Sequence, residues 1–138
     1  MKRSPKLQGL SSEHHAALVL ARQLSRHSAP WTAEDASALQ QRFARELEPH
    51  FRVEEEVLLP ALREAGRADL ADRTLADHAT LRDLVASAGS ADETAVRRIG
   101  QRLQEHVRFE EQELFPSCET LLPEAVLDKL PARTPRAR

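Results

Sequence analysis

HFRVEEEVLLPA (residues 50–61) and HVRFEEQELFPS (residues 106–117) place His, Arg, Glu, Glu, Leu and Pro at the same six of twelve offsets. In each segment a Glu follows a His four residues later, Glu54 after His50 and Glu110 after His106. Four residues make about one turn of α-helix, so each pair stacks on one face about 6 Å apart along the axis. Imidazole and carboxylate together are the donor set of a non-haem metal site, and that is the chemistry the repeat predicts.

Outward from these segments the chain reads as helix. Ala, Leu, Glu, Arg and Gln dominate, Gly occurs four times, and no stretch alternates convincingly between apolar and polar. That profile favours helices throughout. An N-cap at Ser11 or Ser12 opens a first helix to about residue 28, where Ser28-Ala-Pro-Trp31 breaks it. Thr32 with Asp35 opens a long second helix to about residue 65, ended by Gly66. A third spans about 67–88, closed by Gly89, and a fourth runs from Ser90 or Asp92 to about 119. After Pro123 a short helix is expected over about 124–130. Connections this short force antiparallel neighbours. The expected fold is therefore all-α, an antiparallel up-down-up-down four-helix bundle with a short C-terminal helix. Residues 11–130 form one domain, long enough to bury a core without staples, between tails at 1–10 and 131–138. Pro49, Pro60 and Pro116 lie inside helices and each removes a hydrogen bond. Pro60 and Pro116 share one place in the repeat, which predicts matched kinks just beyond the Glu.

Composition excludes several classes of function. A net charge of −2 leaves no electrostatic footprint for nucleic acid or an anionic membrane, and four Phe with Trp31 offer no stacking platform. No apolar run approaches the ~18–20 residues of a membrane span, and MKRSPKLQGL lacks the apolar stretch of a secretory signal. Lys2, Arg3, Lys6, Arg133, Arg136 and Arg138 sit beside Pro and Ser and read as solvated tails. The single cysteine, Cys118, reads as an ordinary helix-end residue. It excludes an internal disulfide and fits a reducing cytoplasm, the expected location. Nothing marks a dimer face, so a monomer or weak homodimer is expected.

The inward stripes carry the histidines. The second helix gives Ala36, Leu39, Phe43, Leu47, His50, Glu54, Val57, Leu58 and Ala61; the fourth gives Val96, Ile99, Leu103, His106, Glu110 and Leu114. The third reads Leu70, Leu75, His78, Leu81, Leu84, Val85 and Ala88. In the first, His14 leads to Ala17, Leu20, Ala21 and Leu24, whereas His15 leads to Leu18, Ala21, Arg22 and Ser25, a poorer core face. The local match of His15-Ala-Ala-Leu to His78-Ala-Thr-Leu keeps His15 as the alternative. The chain is thus a twofold repeat in which each half supplies two imidazoles and one carboxylate, a combination that leaves open positions on non-haem iron. Glu54 and Glu110 have no Lys or Arg at helical spacing, and a buried unpaired carboxylate costs several kcal/mol unless a cation compensates it. Glu55 and Glu111 follow Arg52 and Arg108 by three residues and read as members of exposed ion pairs. His27, off the stripe near the end of the first helix, reads as a cation suited to the helix dipole.

The paired H-x-x-x-E-E-x-x-L-x-P segments, with His14 and His78 on the other two helices, make residues 10–120 resemble the hemerythrin-like (HHE cation-binding) family. That resemblance implies a four-helix bundle holding two Fe ions, bridged by carboxylates and an oxo or hydroxo group. His14 and His50 would bind one iron, His78 and His106 the other, and Glu54 and Glu110 would bridge. The oxygen carriers of the family have a further His one turn after the third-helix ligand, where this chain has Arg82. That departure speaks against simple reversible O₂ carriage and for a di-iron protein that binds O₂, NO or peroxide in sensing, scavenging, storage or iron-related stress response. Zn or Mn are possible substitutes for Fe. Arg82 is expected to point to solvent, with reach to the site edge as the alternative. A di-iron enzyme with peroxidase or NO-reducing activity is a second reading, although the absence of tyrosine excludes a tyrosyl radical. A metal-free helical interaction module is the third, and it requires Glu54 and Glu110 to be solvated.

Overall fold

Thr32 caps the second helix as its sequence predicts. Its hydroxyl accepts from Asp35 N–H while the Asp35 carboxylate accepts from Thr32 N–H, a complete capping box. The computed structural model describes residues 4–130, all of whose regular elements are helical. Four long helices are present among them. They are α1 (Gln8–Ser25), α2 (33–64), α3 (Ala68–Ala86) and α4 (93–121), followed by a single turn, α5 (Glu124–Leu127).

The helix ends correct some expectations and bear out others. No serine caps α1: it starts at Gln8 after Leu7, which makes no side-chain cap. Ser11 Oγ instead donates to Glu111 across the bundle. Gly66 ends α2 with φ +86°, and Arg67 N–H bonds back to Leu62 C=O, the closing pattern a left-handed glycine permits. Asp92 caps α4 by accepting from Ala95 N–H. Lys6 is exposed as expected, and its ammonium pairs at the surface with Glu124 and Asp128 around α5. The other tail residues named above lie outside the described residues.

Each interior proline follows a widened, π-type turn. Phe43–Leu47 precedes Pro49, Glu54–Leu58 precedes Pro60, and Glu110–Leu114 precedes Pro116. A proline has no N–H to give and its ring crowds the carbonyl four residues back, so a wider turn relieves both problems. The expected matched irregularities are present, but they begin at the Glu and not beyond it.

Cross-helix pairs give the direction of packing. Ser11 and Gly100 of opposite ends show α1 antiparallel to α4: Ser11 meets Glu111, while Gly100 lies against Ala21 and Ser25. Gln40 reaches Val85 C=O and Arg63 reaches Asp72, so α2 runs antiparallel to α3. His50 with Glu13 and Arg42 with Gln23 make the same case for α1 and α2.

The apolar stripes fill two separate cores. One gathers Leu20, Leu24, Leu39, Phe43, Val85 and Ile99; the other gathers Leu7, Leu58, Leu62, Phe109, Phe115 and Leu122. In α3 the expected Leu75 is exposed, and Thr74 takes the inward place. Its hydroxyl is satisfied by Leu70 C=O, which makes a polar residue tolerable there. On α2, Phe51 and Leu62 are buried, while Val57 and Ala61 are only partly covered. The ionisable residues occupy the layer between the two cores.

Candidate metal centre

The layer between the cores contains His14, His50, Glu54, His78, His106 and Glu110, one or two from each long helix, and none is more than 4% exposed. His15 is exposed on the outer face of α1, so the inward residue of that pair is His14. Both glutamates are fully buried, which removes the solvated arrangement a metal-free module requires.

Glu54 Oε2 lies 3.0 Å from His50 Nε2, and Oε1 lies 3.1 Å from His78 Nε2. Glu110 Oε1 is 2.8 Å from His14 Nε2, and Oε2 is 3.0 Å from His106 Nε2. Each carboxylate therefore reaches across both halves of the repeat. Two groups result, His14–His50–Glu54–Glu110 and Glu54–His78–His106–Glu110, whose donor atoms all lie within 4.8 Å of one another. The two groups share both carboxylates.

Among these short distances only that between His14 Nε2 and Glu110 Oε1 is a hydrogen bond. His50 Nε2, His78 Nε2, His106 Nε2, both Glu54 oxygens and Glu110 Oε2 are buried without a hydrogen-bond partner. Buried polar atoms are nearly always paired, and a cluster of exceptions calls for a cause such as an ion. Nitrogen and oxygen donors that lie side by side and converge on a common point fit a cation, which accepts lone pairs from all of them.

The opposite edge of each ring is held. His14 Nδ1 meets Glu111 at 2.6 Å, His50 Nδ1 meets Glu13 at 2.7 Å, His78 Nδ1 meets Glu55 at 2.6 Å, and His106 Nδ1 meets Asp77 at 2.9 Å. A carboxylate can only accept, so every Nδ1 carries a proton and Nε2 is the ring atom left to face a cation once its own proton is displaced. Glu55 and Glu111 are thus not the exposed ion pairs expected from their spacing to Arg52 and Arg108. Arg52 pairs with Glu48 instead. The four supporting acids were present in the sequence as a signal. An acid immediately precedes His14 and His78, and a second Glu immediately follows Glu54 and Glu110, in both halves.

Arg82 does not point freely into solvent. Its guanidinium donates to Glu48 at 2.9 and 3.0 Å and to Glu55 at 2.9 and 3.3 Å. His27 lies beyond the end of α1, edge-on to Trp31 with centroids 5.1 Å apart, away from the centre. Cys118 is buried in the core that contains Phe115.

Burial disfavours protonation of the four imidazoles, but the carboxylates around them outweigh it. Glu110 with Glu54 raises His78 to about 9, and Glu110 with Asp77 raises His106 to about 10. His14 and His50 are also raised, His50 well above its ordinary range. Burial pushes the Glu110 carboxyl up, yet His106, His14 and His50 together hold it well below the usual carboxylate range. Without a cation, protons on the imidazoles compensate the buried carboxylates, and a cation must displace them.

A helical bundle with imidazoles and carboxylates converging in a dry layer defines a cation-binding class of protein. The hemerythrin HHE cation binding domain matches residues 6–118, and the chain belongs to that family. No curated protein and no solved structure matches it.

Proposed function

We propose that the protein is a non-haem di-iron protein that binds O₂, NO or peroxide, with His14, His50, His78, His106, Glu54 and Glu110 as the iron ligands. The observation that carries this reading is the sharing of both carboxylates by two four-donor groups. A site for one ion has no need of a second pair of imidazoles on the far side of each Glu. Two imidazoles and shared carboxylates leave part of an octahedral ion's coordination open, which is the chemistry iron would supply for a small ligand.

The surroundings support a small ligand. A cavity of about 10 Å³ adjoins His14, His50, His106 and Glu110 and is walled by Leu47 and Leu103 among other apolar residues. It has room for about one water-sized molecule. Glu13 and Glu46 share its wall, and a space this small admits a diatomic while turning larger substrates away. A phenyl ring lies parallel to one imidazole of each group, Phe51 on His78 at a centroid distance of 3.8 Å and Phe115 on His14 at 5.3 Å.

Iron reconstitution tests the reading. The metal-free protein, loaded anaerobically with ferrous iron, should retain close to two ions per chain and change its visible absorption on exposure to air or NO. Retention below about one ion per chain, or spectra indifferent to both gases, overturns it. Rapid catalytic turnover of peroxide or NO would instead favour the enzyme reading.

A further inference from the structure

Arg82 lies outside the six inward residues, yet it backs both groups that immobilise His78. On the edge of that ring, Nδ1 donates to Glu55 Oε2 at 2.6 Å, and Arg82 Nη1 donates to the same oxygen at 2.9 Å. Against the face of the ring lies Phe51, and the Arg82 guanidinium carbon sits 5.6 Å from the centroid of that phenyl ring. The fork is fixed at its other side by Glu48, through Nε at 2.9 Å and Nη2 at 3.0 Å. Four donor–acceptor contacts to two carboxylates leave the guanidinium one orientation.

We propose that Arg82 is a positioning residue that locks the His78 imidazole through Glu55, so that its Nε2 stays aimed at the Glu54–His106–Glu110 group. This deepens the di-iron reading and rests on it for the metal-dependent part. His78 is the imidazole with 0% exposure, and its supporting acid comes from a different helix, α2. Without Arg82 the Glu55 side chain regains its rotamer freedom, and the ring loses the fixed acceptor that sets its orientation. Lysine cannot replace the fork, because one ammonium does not present parallel N–H pairs to two carboxylates. Arg82 itself is partly exposed, its side chain 32% accessible, so substitution leaves the packed cores intact.

The test compares wild type with Arg82→Met and Arg82→Lys. In the metal-free protein, ¹⁵N-histidine NMR reads the Nδ1–H of each buried imidazole. The Met variant should lose the His78 resonance to exchange while His14, His50 and His106 keep theirs, with Arg82→Lys between it and wild type. After ferrous loading, capture by excess chelator should become biphasic, with one ion leaving about tenfold faster than in wild type and the other unchanged. An unchanged His78 resonance overturns the inference, as does equal disturbance of all four, which would indicate a general structural role. Wild type that retains no iron would sink the di-iron reading, while the His78 resonance would still decide the role of Arg82.

Discussion

Glu13 and His50 meet across two helices with 2.7 Å between Oε1 and Nδ1, and Asp77 and His106 repeat that relationship in the second half at 2.9 Å. In both cases the acid stands one residue before an inward histidine and supports the histidine of the neighbouring helix. The third and fourth pairs, Glu55 with His78 and Glu111 with His14, use the residue after each inward Glu. Every imidazole of the centre is thus oriented from outside by a carboxylate that is itself only partly covered.

Glu13→Gln and Asp77→Asn should each weaken ferrous iron binding by roughly tenfold to a hundredfold, with little change in the melting temperature of the metal-free chain. Arg63→Gln, which breaks the exposed pair with Asp72 at 2.8 Å, serves as the control and should leave affinity alone. Competition titration against a chelator gives the comparison. Equal affinity in all four proteins would remove the supporting role from these acids.

Glu54→Gln keeps the shape of a side chain whose two oxygens serve both donor groups but removes its charge. On the di-iron proposal retained iron should fall below about one ion per chain, because Glu54 belongs to both donor groups. Elemental analysis after gel filtration measures it. Full loading of the variant would mean that Glu54 bridges nothing.

Stability of the metal-free protein should fall as pH rises. His78 and His106 have folded-state pKa values raised to about 9 and about 10, against about 6.5 in an unfolded chain. Groups that bind protons more tightly when folded contribute their full stabilisation below the unfolded value and lose it as pH climbs through the folded ones. Melting temperatures in excess chelator should therefore decline between about pH 6.5 and about pH 10. Iron loading, which needs the imidazoles deprotonated, should release protons and raise the melting temperature most at the alkaline end. A flat or rising profile in chelator would show that the rings are already neutral in the empty bundle.

Gly100 lets α4 lie directly against the backbone of α1. A Cβ there would fall 2.5 Å from both Ala21 O and Ser25 N, which are backbone atoms and cannot turn aside. Gly100→Ala should destabilise the fold by about 1–3 kcal/mol or more, despite alanine's better helix propensity. Urea unfolding decides the sign, and a variant as stable as wild type would show that the helices separate without penalty.

How much of this was legible in the sequence follows from the range of the forces involved. Helix type, the Thr32 cap, a fourth-helix start at Ser90 or Asp92, the Gly66 stop and the inward lines of His50, Glu54, His106 and Glu110 are local properties. Spacing of 3.6 residues and the chemistry of one helix end specify them within a few positions. His14 over His15 was also readable, because the two choices carry different apolar faces. Leu75 misled because composition favours leucine inside, whereas the α3 line runs through Thr74, which hides its hydroxyl on Leu70 C=O.

What the sequence by itself determined is a twofold helical repeat with an imidazole or an imidazole and carboxylate on each inward stripe. Only the tertiary structure decided that Glu55 and Glu111 turn toward histidines of neighbouring helices, that Arg82 clamps Glu48 to Glu55, and that the six inward donors close to within 4.8 Å in two groups. The reason is physical. Spacing along one helix fixes direction only relative to that helix, whereas a charged side chain at a helix border chooses among partners by the distance and burial that packing creates.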